Sequence, residues 1–222
     1  MPFFIPQLPE EMRITTLLIT LLIAASCIEE QSKTKTPVNK IAIDNGDPLP
    51  ISSMDFSELY LTNNEDEYAI QLNTDTIETK KFNRIDLTLV TKEMDFKSKL
   101  TDQDSYYVLR TFRFSGKLFK VIAYNSAGEN DRKVLNVQLN SYDSTGQLLD
   151  KLLLDCRLTF EVEYYRDITI NKDMTVDLVK YSIDQYTYDE TGGIMDAKEI
   201  QDTIAEKCTY KIDRNGIFIK VN

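Results

Sequence analysis

The feature that most constrains this chain is a turn it repeats. Tyr142-Asp143-Ser144-Thr145-Gly146-Gln147-Leu148-Leu149-Asp150 and Tyr188-Asp189-Glu190-Thr191-Gly192-Gly193-Ile194-Met195-Asp196 match almost position by position, and Tyr124-Asn125-Ser126-Ala127-Gly128 is a shorter echo. In each, a tyrosine closes an extended run, Asp or Asn opens a turn by bonding nearby backbone, and glycine supplies a positive φ before the next run begins. Such turns reverse the chain, so the flanking segments are expected to pair as antiparallel neighbours. The runs between them fit: Tyr107 to Phe114, Leu118 to Tyr124, Val134 to Tyr142, Leu148 to Tyr165 and Thr175 to Tyr188 are rich in aromatic and β-branched residues. Alternation is clearest where Cys156, Leu158, Phe160, Val162 and Tyr164 oppose Arg157, Thr159, Glu161 and Glu163. A last hairpin is expected around Arg214-Asn215-Gly216, and a one-sided strand at Ile85, Leu87 and Leu89. The fold class that follows is all-β, an antiparallel meander of hairpins, sandwich-like or barrel-like, with room for one short helix. That helix would fall at Ala197 to Lys207, where Ala197, Ile200, Ile204 and Cys208 are spaced by three and four. Alignment of this segment with Lys151 to Arg157 in the repeat favours a bent strand.

The amino-terminal part is of another kind. Met12 and Arg13 lead into an uncharged apolar run from Ile14 to Ile23, followed by Ala24, Ala25, Ser26 and Cys27. A membrane span needs roughly 20 apolar residues; this pattern is that of a secretory signal. Ile23-Ala24-Ala25-Ser26-Cys27 resembles the lipobox of bacterial lipoproteins, in which the cysteine sulfur receives a diacylglyceryl group. The resemblance implies a signal peptide over 12–26, lipidation of Cys27 and a durable membrane tether, since two or more acyl chains hold firmly where one does not. Residues 1–11 carry Glu10 and Glu11 where a signal should be positive, so translation is expected to begin at Met12. Residues 27–50 open with a polar stretch that cannot bury enough surface to order itself and are read as a linker, leaving 51–222 as a single β domain. Glu29 and Glu30, close behind the cysteine, resemble the export signal of surface lipoproteins in Bacteroidetes, which implies the outer membrane and favours its outer face. Asp75-Thr76-Ile77 and Asp202-Thr203-Ile204 resemble the short O-glycosylation acceptor of the same group's envelope proteins, which would place glycans on Thr76 and Thr203.

Charge and composition then remove function classes. With 26 Lys and Arg against 36 Asp and Glu, the net charge is −10, a surface that repels phosphate backbones, so no nucleic-acid partner is expected. Membrane contact must come through the acyl chains. There is no histidine, which excludes Ser-His-Asp and Cys-His catalysis and imidazole metal sites. No glycine-rich phosphate loop stands between a strand and a helix. The acidic run Asn63-Asn64-Glu65-Asp66-Glu67 lacks the alternating ligands, glycine and closing glutamate of an EF-hand loop. No catalytic residue, metal ligand or cofactor is expected. Setting Cys27 aside leaves Cys156 and Cys208, a candidate disulfide in an oxidising compartment or else two buried thiols. Tyr164, Tyr186 and Tyr188 mark the richest aromatic stretch and the candidate ligand groove. The expected role is a non-catalytic binding module for an envelope protein, peptide or glycan. The alternatives are a carboxylate-dependent polysaccharide hydrolase and a structural or immunity-type envelope lipoprotein.

Overall fold

The computed structural model describes residues 46–62, 68–70, 77–96, 99–128 and 132–222. The signal segment, Cys27, the linker as far as residue 45, the acidic run at 63–67 and Thr76 lie outside the described residues. The elements are β1 (Ile51–Ser52), a 3-10 helix (Ser53–Leu59), β2 (Tyr60–Thr62), β3 (Tyr68–Ile70), β4 (Thr79–Lys81), helix α1 (Arg84–Thr88), β5 (Ser105–Phe114), β6 (Lys117–Ala127) and β7 (Lys133–Tyr142). They continue with β8 (Leu148–Thr159), β9 (Val162–Ile170), β10 (Thr175–Tyr188), β11 (Ile194–Ile212) and β12 (Phe218–Lys220). One antiparallel sheet runs in the order β12-β11-β10-β9-β8-β7-β6-β5-β4, with β1 added on β9, while β2 and β3 pair separately. The all-β meander of hairpins is the fold.

The two full copies of the repeated turn work as their residues dictate, but the shorter echo is corrected: Tyr124, Asn125 and Ser126 lie within β6, paired with Asn136, Leu135 and Val134, and Gly128 takes no positive φ. The Asp143 Oδ1 accepts from Thr145 N at 2.8 Å, Thr145 Oγ1 at 2.7 Å and Gln147 N at 2.9 Å. Asp189 does the same with Thr191 and Gly193, and Asp213 with the backbone of Asn215 and Ile217. Gly146, Gly192 and Gly216 each take φ near +85°, where a side chain would be strained.

The sheet is open yet rolled onto itself. Phe119 in β6 lies 6.4 Å from Phe218 in β12, ring centre to ring centre, although six inter-strand steps separate them in the sheet order. A flat sheet at ~4.8 Å per step would hold them about 29 Å apart. The roll encloses one apolar core, from Phe112, Phe119, Val137 and Leu152 on one half to Ile170, Leu178, Tyr210 and Phe218 on the other. The bend falls in β8, where a register shift against β7 separates Leu153 from Asp155. Such a bulge lets one strand leave one layer for another, so the open sheet packs in the manner of a sandwich. Beyond it only Leu158 and Thr159 still pair with β9. In the resulting gap Lys92 bridges to β8, its N–H donating to Lys151 O and its carbonyl accepting from Leu153 N, both at 3.0 Å. Buried Asp150 then pins β12, accepting from Phe218 N at 2.8 Å and from Lys92 Nζ, which also donates to Phe218 O at 2.6 Å.

Several expectations are corrected. The run from Leu148 to Tyr165 is two strands, because the chain reverses at Phe160 and Glu161. Leu158 pairs with Tyr164 and Thr159 with Glu163, so partners share parity and the alternation passes through the turn unbroken. The strand expected at Ile85 to Leu89 is helix α1. Asn83 caps it, its Oδ1 accepting from Ile85 N at 2.8 Å and Asp86 N at 2.9 Å, while Asp86 Oδ2 accepts from Asn83 N at 3.0 Å, a reciprocal capping box. Ala197 to Lys207, by contrast, is the bent strand that the repeat alignment favours, within β11. Its spacing of three and four comes from a bulge that sets Asp202 opposite Asp184 but Ala197 opposite Tyr186. Ile200 and Ile204 are exposed, so the spacing never marked a buried face. Ordered contacts begin ahead of the boundary at residue 51: Leu49 is in the core, and Asp47 exchanges two 2.7 Å bonds with the Thr111 backbone.

Of the two readings of the cysteine pair the structure has the second, since Cys156 and Cys208 are free, buried thiols. β9 and β10 stand between their strands. Cys156 packs with Val134, Leu153 and Leu158 in a satellite cluster, and Cys208 in the main core. A disulfide requires Cα atoms within about 7 Å, which two intervening strands do not allow.

Candidate functional site

On three neighbouring strands the inward-facing row begins apolar and ends polar. In β9 Ile170 and Ile168 give way to Arg166 and Tyr164; in β10 Val176 and Leu178 give way to Lys180 and Ser182; in β11 Ile212, Tyr210 and Cys208 give way to Glu206 and Ile204. The register places Lys180 directly between Arg166 and Glu206, and Ser182 between Tyr164 and Ile204. Where the rows turn polar, the segment from Lys92 to Phe96 crosses over them. The space left is a cavity of about 260 Å³ lined by Asp95, Cys156, Tyr164, Arg166, Lys180, Ser182, Ile204 and Glu206, together with Tyr165 and Tyr181.

Arg166 is the centre of this arrangement and is only 1% exposed. Its Nη1 donates to Leu153 O at 2.9 Å, and its Nη2 donates to Glu93 O at 2.5 Å and to the Asp95 carboxylate. Its backbone N–H donates to Asp155 Oδ1 at 2.8 Å. The guanidinium thus bridges the gap that the bend in β8 opens. Its Nε–H has no acceptor among the described residues, and a buried donor left unmatched costs about 1–3 kcal/mol.

Glu93 locks the crossing segment to the sheet. Lys180 Nζ lies 2.7 Å from its Oε2, Lys220 Nζ 2.9 Å from its Oε1, and Tyr210 Oη donates to Oε1 at 2.5 Å. Burial alone would raise the pKa of this carboxyl, but the bonds from Lys180, Tyr210 and Lys220 outweigh it and hold the group down at about 2. The Glu93 backbone sits at φ +59°, a left-handed conformation that a non-glycine residue keeps only when its surroundings over-determine it; here three side chains do. Lys180 also reaches Asp95 Oδ1 at 3.0 Å, so both cavity cations already carry partners. By contrast no hydrogen bond joins Ser182 Oγ or the Glu206 carboxylate to another described residue.

Burial is the leading cause at the two thiols and the Tyr210 hydroxyl. It pushes the Cys156 thiol up to about 12, which leaves it a poor nucleophile at neutral pH. The Cys208 thiol and the Tyr210 hydroxyl are raised for the same primary reason, the latter also by its bond to Glu93.

Of the residues that the sequence singled out, Tyr164 and Cys156 line the cavity. Tyr164 is held there by Phe96, edge to face with ring centres 5.2 Å apart. Tyr186 and Tyr188 are not brought to it. They lie beyond Asp184 and Val162, the last pair between β10 and β9, on a two-stranded tip where the Tyr188 hydroxyl donates to Asp184 at 3.3 Å. The nearest pair of stacked tyrosines is instead Tyr165 and Tyr181, with ring centres 4.7 Å apart. Thr203 is exposed on β11; Cys27 and Thr76 lie outside the described residues. The residues that sequence reasoning missed are Glu93, Asp95, Arg166, Lys180, Ser182 and Glu206. One signal was available, namely a charged residue on the apolar parity of a strand, as in Tyr164-x-Arg166-x-Ile168.

A second polar layer lies on the opposite face of β7. Tyr124 Oη donates to Gln138 at 3.0 Å, Gln138 to Asn140 at 2.6 Å, and Asn140 to Tyr142 Oη at 3.0 Å, while buried Lys151 donates to Asp86 O at 2.7 Å beneath α1. This layer is internally bonded and supports α1.

Comparison with known proteins gives no match to a family model, to a curated protein or to a solved structure. The class is therefore stated by architecture alone, a rolled antiparallel sheet with a charge-balanced cavity at one end of its core.

Proposed function

We propose that this chain is an outer-membrane lipoprotein, held at the cell surface by acyl chains on Cys27, whose β domain is a non-catalytic binding module for an envelope protein, peptide or glycan. The observation that carries the binding role is the cavity of about 260 Å³, whose wall presents Ser182, Glu206 and Tyr164 beside ion pairs that already balance Arg166 and Lys180. An occupant that hydrogen-bonds Ser182 and Glu206 can do so without any rearrangement of the ion pairs. The hydrolase alternative draws less support. It needs two carboxyl groups on opposite sides of a sugar, one of them protonated, and Asp95 is already paired with Arg166 and Lys180.

Two experiments test the two halves. Cys27→Ala should release the protein from the membrane fraction and abolish labelling with radioactive palmitate; sedimentation with envelopes regardless would sink the tether. Peptide and glycan pools prepared from envelopes should shift the side-chain Nε–H resonance of Arg166 saturably in the full-length chain. A resonance unmoved by either pool would sink the binding role.

A further inference from the structure

We infer that the free edge of β11 from Thr203 to Lys207 takes up an extended peptide segment of a protein partner as an added strand, with a basic side chain opposite Glu206 and an apolar one opposite Ile204. This names a partner class for the binding role proposed above and rests on that role. β12 pairs with β11 only from Tyr210 to Ile212. The last bonds along that edge are made by Thr209, whose carbonyl accepts from Val221 N at 2.9 Å and whose N–H donates to Asn222 Oδ1 at 2.8 Å. Ile212 N, by contrast, donates the other way, to Met174 O just ahead of β10. The register with β10 is unbroken from Asp202 to Lys211. The period of two therefore turns the N–H and C=O groups of Thr203, Ala205 and Lys207 outward like those of Thr209, and no described strand lies beside them. Exposed edges are commonly blunted by a bulge, but the bulge in β11 falls beyond Asp202 and leaves this stretch regular.

The exposed side chains select the kind of strand. Among the described residues, six of the ten exposed large apolar side chains gather along this edge, Ile194, Met195, Ile200 and Ile204 in β11 with Ile219 and Val221 beside it, so an occupant covers apolar surface as well as backbone. Acids outnumber bases there: Asp196, Glu199, Asp202 and Glu206 stand against Lys198 and Lys207, and Lys198 is already held by Asp184 and Asp202. Ile204 and Glu206 occupy the non-hydrogen-bonded positions of the added pair, where facing side chains approach most closely, and both line the cavity. The added strand therefore runs along the cavity rim. A second copy of this chain is a poorer match. In antiparallel pairing of two copies centred anywhere from Thr203 to Lys207, Glu206 meets Ile200, Asp202, Ile204, its own counterpart or Cys208, never a cation.

The test titrates the full-length chain with a blocked pentapeptide of sequence Thr-Lys-Thr-Val-Thr, and with the same peptide carrying Glu in place of Lys, following backbone amide shifts and amide exchange. The expected result is a saturable shift and slowed exchange at Thr203, Ala205 and Lys207, with the basic peptide binding about threefold to tenfold tighter than the acidic one. Glu206→Lys should reverse that preference. Ala205→Pro, which removes an outward N–H that the sheet does not use, should weaken both peptides by about tenfold. Equal affinity for the two peptides, unchanged by Glu206→Lys, overturns the assignment of a basic partner. Protection of the same amides that rises with protein concentration in the absence of peptide places a second copy on the edge and overturns it too. No response of these amides to either peptide, while envelope pools still move the Arg166 Nε–H resonance, overturns the edge inference and leaves the binding role standing; neither response overturns both.

Discussion

Glu93→Gln isolates the lock between the crossing segment and the sheet, because it keeps the shape of the side chain and removes its charge. The side chain is 11% exposed and its partners Lys180 and Lys220 are 21% and 53% exposed. Holding a carboxyl at about 2 against an ordinary 4.5 corresponds to about 3 kcal/mol of stability. Solvent screening through the half-exposed Lys220 reduces this to about 1–2 kcal/mol. Because the folded-state value is depressed, the contribution is fully present above pH 4.5 and is lost as pH falls from 4.5 toward 2. Above that window the carboxyl is ionised in both states, and inside it the unfolded chain takes up its proton first. Urea unfolding of the native and Glu93→Gln proteins from pH 7 to pH 2 measures the difference directly. The variant should be less stable by about 1–2 kcal/mol at pH 7, with the gap closing below pH 3. A gap that is the same at both ends of the range would show that the loss comes from packing or from the left-handed backbone, and the electrostatic reasoning would be wrong.

Three further outcomes follow from the same geometry. Asn83→Ala removes both bonds that start α1 and should cost about 1 kcal/mol, seen as a lower urea midpoint and faster amide exchange at Ile85 and Asp86. Phe218→Ala empties the seam where the rolled sheet meets itself at Phe119 and should cost about 3–5 kcal/mol; a loss below 1 kcal/mol would mean that β12 is not part of the core. Alkylation with iodoacetamide should leave Cys156 and Cys208 untouched in the native protein and label both after unfolding without reductant, whereas a peptide linked through the two sulfurs would contradict their placement in separate clusters.

The strands and turns were legible because they are local. Asp143, Asp189 and Asp213 bond backbone within four residues, so their chemistry is complete in a short window, and the hairpins they close are those the repeat announced. Helix α1 was misread because Ile85, Leu87 and Leu89 imitate a strand, yet Asn83 and Asp86 had the spacing of a capping box. The reversal at Phe160 left no trace, since it has neither glycine nor proline and preserves parity. Polar Asn136, Gln138 and Asn140 alternate with apolar neighbours in β7 yet are buried, because Phe82, Leu87 and Thr91 pack over that face around Tyr124 and Gln138, a contact that no alternation pattern encodes.

The cavity was illegible for the same reason at longer range, and its cause ties fold to function. Arg166 and Lys180 occupy inward positions that a strand pattern reserves for apolar residues, and such a violation is tolerated only if distant groups satisfy the charges. Glu93 and Asp95 supply that satisfaction from about seventy to ninety residues earlier in the chain, in a segment that is there only because the bend in β8 leaves an edge for Lys92 to join. The bend therefore does two things at once. It lets the sheet roll so that Phe119 meets Phe218, and it opens the gap into which Arg166 reaches. The guanidinium's three hydrogen bonds all go to the walls of that gap, at Leu153, Glu93 and Asp95, while the backbone N–H of Arg166 holds Asp155 at the bulge itself. Arg166 lines the cavity as well as closing the gap, and that is why its Nε–H resonance, rather than overall stability, is the quantity on which the functional reading turns.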